Sequence, residues 1–218
     1  LSRHRVVNFE RRTSCLSKPP QNCKLVRKGM VINMEINKDI KNILVSEEEL
    51  DGICERLGEQ ISRDYEGKRL LLLCILKGSV VFMGDLMKKM TIPVEIDFMR
   101  VSSYGNSTKS HGAVNIILDL HRTDLENTNI LIVEDIIDSG KTLSYLSGYL
   151  MNKGAKSVKI VTLLDKPERR DPQITLTPDY VGKVIPDEFV VGYGLDYAEN
   201  YRALPYIGVL KPSVYGGK

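Results

Sequence analysis

The segment Ile130-Leu131-Ile132-Val133-Glu134-Asp135-Ile136-Ile137-Asp138-Ser139-Gly140-Lys141-Thr142 constrains the fold of this chain more than any other. An apolar strand ends in two adjacent carboxylates. A short turn of small and hydroxyl residues follows, and a helix begins. Strand-end acids can hold a polyol or a metal ion. A small-residue turn at a helix start leaves backbone N–H groups free for a phosphate. The order describes a receptor for a sugar phosphate, with acids for the hydroxyls and amides for the phosphate.

Gly140-Lys141-Thr142 copies the end of the phosphate loop of nucleoside triphosphatases. That loop needs a glycine five positions before its second glycine. Asp135 stands there, and its carboxylate would repel the phosphates the loop must wrap. This reading is excluded.

The rest of the chain alternates strand and helix patterns. Ser46 with Glu49 three residues on is a capping box, Ser46 as N-cap and Glu49 reaching back. Leu50, Ile53, Cys54, Leu57 and Ile61 recur at helical spacing, which predicts a helix to about Tyr65. Leu70–Leu76 is continuously apolar, as in a strand buried on both faces of a parallel sheet. Residues 79–89 read as a short helix, and Pro93–Val101, Val114–Leu118, Asn129–Val133, Val158–Leu164 and Phe189–Tyr193 as strands. The helix after Gly140 carries Leu143, Leu146 and Leu150 on one face, with Gly154 as C-cap. The expected fold class is α/β with a mainly parallel sheet, whose sites lie beyond the carboxyl ends of the strands.

The net charge of +3 belongs to the N-terminus. Residues 1–28 hold eight Lys/Arg and one acid, so the rest of the chain carries −4. A whole-protein case for nucleic acid binding fails on that distribution. Residues 1–33 are a basic extension, expected to be flexible, with Pro19-Pro20 breaking any helix and Met30 and Met34 as candidate starts of the compact domain. They are Arg-rich and poor in acids, as a transit peptide is. Translated upstream sequence is the second reading, and a nucleic acid arm the third, weakened by the lack of interleaved aromatics. The longest apolar run, Leu70–Leu76, is too short to span a bilayer, so no membrane association is expected. Cys15, Cys23, Cys54 and Cys74 lack metal-type spacing and read as reduced thiols of a cytoplasmic protein, an organelle being the alternative if the extension is a transit peptide.

The thirteen-residue run resembles the phosphoribosyl-pyrophosphate signature of the type I phosphoribosyltransferases, and its surroundings resemble the bacterial-type hypoxanthine-guanine branch across residues 35–213. The resemblance implies a parallel twisted sheet flanked by helices, in a domain over 34–218. A small hood, from 34–45 and about 166–218, would cover the carboxyl ends of the strands. It implies transfer of a 5-phosphoribosyl group from phosphoribosyl pyrophosphate to N9 of hypoxanthine or guanine, with Mg²⁺ as cofactor, in a homodimer or homotetramer.

Carried onto this sequence, the family pattern makes Glu134 and Asp135 the acids that hold the ribose hydroxyls, partly through Mg²⁺, with Asp196 toward a second Mg²⁺. Ser139, Gly140, Lys141 and Thr142 match the loop around the 5′-phosphate, with Lys141 serving more through its backbone than its charge. Asp138 matches the residue that moves a proton at purine N7, although an Asp here could also merely cap the helix. Leu76, Lys77 and Gly78 match the pyrophosphate loop, which in the family often has a non-proline cis peptide between the first two. Ser103 and Tyr104 match a lid over the substrates, and His111 is an exposed loop residue. Lys166 matches the lysine at the purine 6-oxo group. Phe189 would stack on the base, Val190 would offer backbone groups to its edge, and Arg202 would face pyrophosphate. Lys183 departs from the aromatic or apolar residue of many relatives, which puts packing near the base pocket in doubt. Two rivals remain: the same chemistry on xanthine or another 6-oxopurine, and a regulator of this fold that binds RNA or a protein, which the intact Asp138, Lys166 and Asp196 disfavour.

Overall fold

The computed structural model describes residues 38–103 and 114–216. The basic extension, Tyr104 and His111 lie outside the described residues, as do Cys15 and Cys23.

Among the described residues nine strands form two sheets: β1 (Ile40–Val45), β2 (Leu70–Leu76), β3 (Glu95–Ser103), β4 (Val114–Leu118), β5 (Asn129–Ile137), β6 (Ser157–Asp165), β7 (Tyr180–Val184), β8 (Val190–Val191) and β9 (Ile207–Leu210). The helices are α1 (Glu47–Asp64), α2 (Val80–Lys88), α3 (Lys141–Asn152) and a short α4 (Pro212–Tyr215). The main sheet has the order β4-β3-β2-β5-β6-β7 and is parallel except for β4, which pairs antiparallel to β3. The small antiparallel sheet has the order β1-β9-β8. Among the described residues no helix is long and apolar enough to cross a membrane.

Side chains alternate across each buried strand. Leu70, Leu72 and Cys74 of β2, with Leu131 and Val133 of β5, pack against α1 and α2 through Leu50, Leu57, Phe82 and Leu86. Leu71, Leu73 and Ile75, with Ile130 and Ile132, pack on the other face against Leu143, Leu146 and Leu150 of α3. Each central strand is thus apolar on both faces, which is why the sequence there shows unbroken hydrophobic runs.

The capping box is half formed. Ser46 Oγ accepts from the Glu49 backbone N–H at 3.2 Å. The Glu49 carboxylate does not reach back but takes Lys183 Nζ at 2.6 Å. Lys183 therefore lies on β7 against α1, where its Nζ also donates to the Leu44 carbonyl at 3.4 Å. β5 runs four residues beyond the expected Val133, so the acid pair lies within the strand. β3 is shifted two residues toward the C-terminus of its expected span. β1, β7 and β9 carry no strong sequence signal. β7, which falls inside the range expected for the hood, is instead the edge of the main sheet. Gly154, with φ +93°, follows the α3 C-cap Lys153, where a left-handed residue suits glycine.

Candidate active site

The chain leaves β2 toward β3 on one side and returns to β5 on the other, so the order reverses between β2 and β5. A crevice opens at the carboxyl ends of such strands. The last β2–β5 pair is Cys74–Val133, whereas β5 stays paired with β6 as far as Ile137–Asp165. The two strands part just before the acids.

Neighbouring strand residues face opposite ways, and the acid pair is divided accordingly. Glu134 joins the lining of a 120 Å³ pocket with Asp138, Ser139, Gly140 and Thr142. One buried Glu134 oxygen, Oε2, has no hydrogen-bond partner. Burial, and then the Asp135 charge, push the Glu134 carboxyl well above its usual range. Asp135 turns to the Leu76-Lys77-Gly78 loop, where a Cβ on Gly78 would sit 1.6 Å from its Oδ2, so any side chain there would push the Asp135 carboxylate aside. Burial raises Asp135 to about 6, against the backbone N–H bonds and Arg202 that lower it.

The turn before α3 is strapped from below by the segment after β6. Arg170 Nη1 donates to the Asp138 carbonyl at 3.1 Å, and its Nη2 pairs with Asp165. The Asp171 N–H donates to the Ser139 carbonyl at 3.1 Å. With carbonyls tied down, the turn's other face is left to the pocket. Gly140 has φ +79° and occupies the α3 cap position with no side-chain cap bond, so Asp138 is not the cap. Lys141 Nζ pairs with Asp171 at 2.7 Å, outside the pocket.

Asp138 and Ile136 also line a second pocket of 490 Å³, with Lys166, Phe189, Val190 and Asp196. The two pockets therefore meet at Asp138. Lys166, 7% exposed, holds Nζ 3.8 Å from Asp138 and 4.0 Å from Asp187. Phe189 stacks on Tyr215 at 4.8 Å between centroids and meets Tyr197 edge-on at 5.6 Å. Sequence reasoning missed Ile136, Asp187 and Tyr215. Ile136 could have been found from strand alternation with Glu134 and Asp138. Tyr215 carries no local signal.

On the other side of Asp135, the Leu76–Lys77 peptide is cis, as the family pattern implies. Arg202 pairs with Asp196 at 2.7 Å and donates to the Gly194 carbonyl at 2.7 Å. Among the described residues no three His, Cys, Asp or Glu side chains are grouped to hold a metal by themselves. Of the expected lid, Tyr104 lies outside the described residues, and Ser103 is described only as the end of the β3 backbone.

Comparison with known proteins accords with this geometry. The model of the phosphoribosyl transferase domain family matches residues 40–198. A hypoxanthine-guanine phosphoribosyltransferase of Staphylococcus aureus is 52% identical over 180 residues, covering 83% of this chain and 99% of that protein. The bifunctional protein TilS/HprT of Listeria innocua is 53% identical over 183 residues, and the chain spans 28% of its length. A crystal structure of a hypoxanthine phosphoribosyltransferase from Staphylococcus aureus superposes with a TM-score of 0.80 at 50% identity, covering 85% of this chain and 100% of that one. With signature, sheet order and paired pockets agreeing, the chain belongs to the phosphoribosyltransferase family, in its hypoxanthine-guanine branch.

Proposed function

We propose that this protein transfers the 5-phosphoribosyl group of phosphoribosyl pyrophosphate to N9 of hypoxanthine or guanine, yielding IMP or GMP and pyrophosphate in purine salvage. The observation that carries this reading is the position of Asp138 at the meeting of a small pocket lined by helix-start amides and a larger one lined by Phe189 and Lys166.

The 5′-phosphate fits the small pocket, where Ser139 and Thr142 hydroxyls and the N-terminal amides of α3 favour a dianion. Glu134 and Asp135 accept hydrogen bonds from the ribose hydroxyls. The base lies in the larger pocket against Phe189, with Val190 backbone groups at its edge. Lys166 donates to the 6-oxo group, and a cation there disfavours the amino group of adenine. As N9 bonds to the anomeric carbon and the bond to pyrophosphate breaks, Asp138 takes the proton that N7 no longer holds, help worth roughly 10²–10⁴-fold. Lys77, the Gly78 backbone and Arg202 receive the departing pyrophosphate.

Mg²⁺ fits this donor set. The unpaired buried oxygen of Glu134 is a hard donor, and such an ion commonly takes one or two carboxylates and fills its remaining positions with water and substrate oxygens. Glu134 and Asp135 would hold one ion and Asp196 a second. When bound, Mg²⁺ neutralises charge building on the pyrophosphate oxygens. The free, buried Cys54 and Cys74 accord with action in a reducing compartment such as the cytoplasm, and a homodimer or homotetramer is the assembly the family resemblance implies.

The test is a turnover screen of hypoxanthine, guanine, xanthine, adenine and uracil with phosphoribosyl pyrophosphate and Mg²⁺. Products from hypoxanthine and guanine are expected. Xanthine as the sole substrate would move the specificity, and no product from any base would overturn the reading.

A further inference from the structure

The two cations assigned above to the leaving pyrophosphate already hold an anion from the chain itself. Lys77 Nζ donates to Glu199 Oε1 at 2.9 Å, and Arg202 Nη2 donates to Glu199 Oε2 at 3.2 Å. One carboxylate gives an oxygen to each cation, the geometry a phosphate group offers. The bridge joins the loop after β2 to the segment after β8, across 122 residues of sequence. Those two loops touch directly as well, since a Cβ on Gly194 would lie 2.0 Å from the Gly78 carbonyl oxygen.

The turn that carries Glu199 has an uncommon backbone. Ala198, Glu199 and Tyr201 have φ of 50°, 64° and 76°, in the left-handed region that non-glycine residues seldom adopt. Such residues persist where the surrounding structure demands them. The Glu199 N–H donates to Asp196 at 2.8 Å, which anchors the turn beside Arg202. Glu199 is nevertheless 66% exposed and Lys77 48% exposed, so solvent screens the bridge and it can exchange readily.

We propose that Glu199 is an internal competitor for the pyrophosphate seat: it holds Lys77 and Arg202 in the unliganded enzyme, yields them to the diphosphate of the entering substrate, and reclaims them as pyrophosphate leaves. This rests on the functional reading above. Arg202 already divides its Nη2 between Asp196 at 2.7 Å and Glu199 at 3.2 Å, so a phosphate oxygen that binds at these donors competes with the Glu199 carboxylate for them. Once displaced, the carboxylate stands beside the diphosphate and repels it. Both effects weaken binding of the substrate and of the product that carries the diphosphate. The site gains faster product release at the cost of affinity.

The experiment compares wild type, Glu199→Gln and Glu199→Asp by calorimetric titration with pyrophosphate in the presence of Mg²⁺, together with steady-state kinetics. The glutamine keeps the shape and removes the charge. It is expected to bind pyrophosphate about three- to tenfold more tightly, the range set by losing two exposed ion pairs. KM for phosphoribosyl pyrophosphate should fall in parallel, and KM for hypoxanthine should stay the same. Glu199→Asp keeps the charge and should lie nearer wild type than Glu199→Gln. Pyrophosphate binding that is unchanged or weaker in Glu199→Gln, or equally tight in the Asp and Gln variants, overturns the inference. Wild-type turnover judges the functional reading separately: active wild type with equal affinities sinks only the role of Glu199. Inactive wild type sinks the function and leaves the titration to decide the competitor.

Discussion

Asp138 is where a single atom decides between chemistry and scaffolding. An aspartate just before a helix is by default a cap, and the sequence leaves that open. The structure removes it: Gly140 takes the cap position, the Asp138 carbonyl is tied to Arg170, and the carboxyl lies 3.8 Å from Lys166. Asp138→Asn keeps size and loses the proton acceptor. Its kcat is expected to fall roughly 10²–10⁴-fold with an unchanged thermal midpoint, which turnover assays and thermal denaturation together check. The same scale shows how far site residues are legible. Glu134, Asp135 and the turn that follows are contiguous, so their pattern survives as a string. Tyr215 on Phe189 and Asp187 beside Lys166 are partners whose identity no local pattern carries.

At the scale of elements, the turn before α3 is shaped by a segment that does not line the pocket beside it. Arg170, its side chain 16% exposed, links the Asp138 carbonyl to Asp165 at the end of β6. Without it the carbonyl can rotate, and the amides of the turn lose their common aim. Arg170→Met should raise KM for phosphoribosyl pyrophosphate severalfold while KM for hypoxanthine changes little. Equal shifts in both constants in initial-rate measurements would show that the strap does not act through the turn. Strands of continuous apolar residues, such as β2 and the first half of β5, were legible because burial on both faces leaves no polar position. β1 and β7 are short and of mixed composition, and β9 is four residues interrupted by a glycine, so these strands get their pairing from neighbours rather than from their own pattern. The extension of β5 through Glu134 and Asp135 was hidden for a related reason: pairing with β6 holds two acids in a strand that propensity alone would end.

Across the whole molecule, the end of the sheet opposite the active site is closed by charge. Arg69 pairs with Glu95 and Asp124, and Arg122 pairs with the same two acids at 2.5 and 3.1 Å. Arg69, then Arg122, hold Glu95 below the usual carboxylate range, and Arg122, then Arg69, do the same for Asp124. A depressed carboxyl stabilises the fold above its unfolded pKa and stops doing so as pH falls through its folded value. Arg122→Met should therefore lower the thermal midpoint at pH 7. The gap from wild type should start to narrow as pH falls below about 4, where the unfolded acids take up protons, and close as pH falls through their depressed folded values, which a thermal scan across pH reads directly. A gap that persists at low pH would assign the loss to packing of the arginine stem.

The sequence by itself determined the class of fold, the strand that carries the acids, the turn that follows them and the chemistry they suit. Each of these is written in adjacent residues, and adjacency is preserved on folding. Only the tertiary structure decided that the strand order reverses between β2 and β5, that the acid pair divides between two faces, and that two pockets meet at Asp138. It alone brought Glu199 to Lys77 and Arg170 under Asp138, across 122 and 32 residues. A long charged side chain has many possible partners in a chain of mixed charge, and the choice among them is made by the sheet that carries both ends.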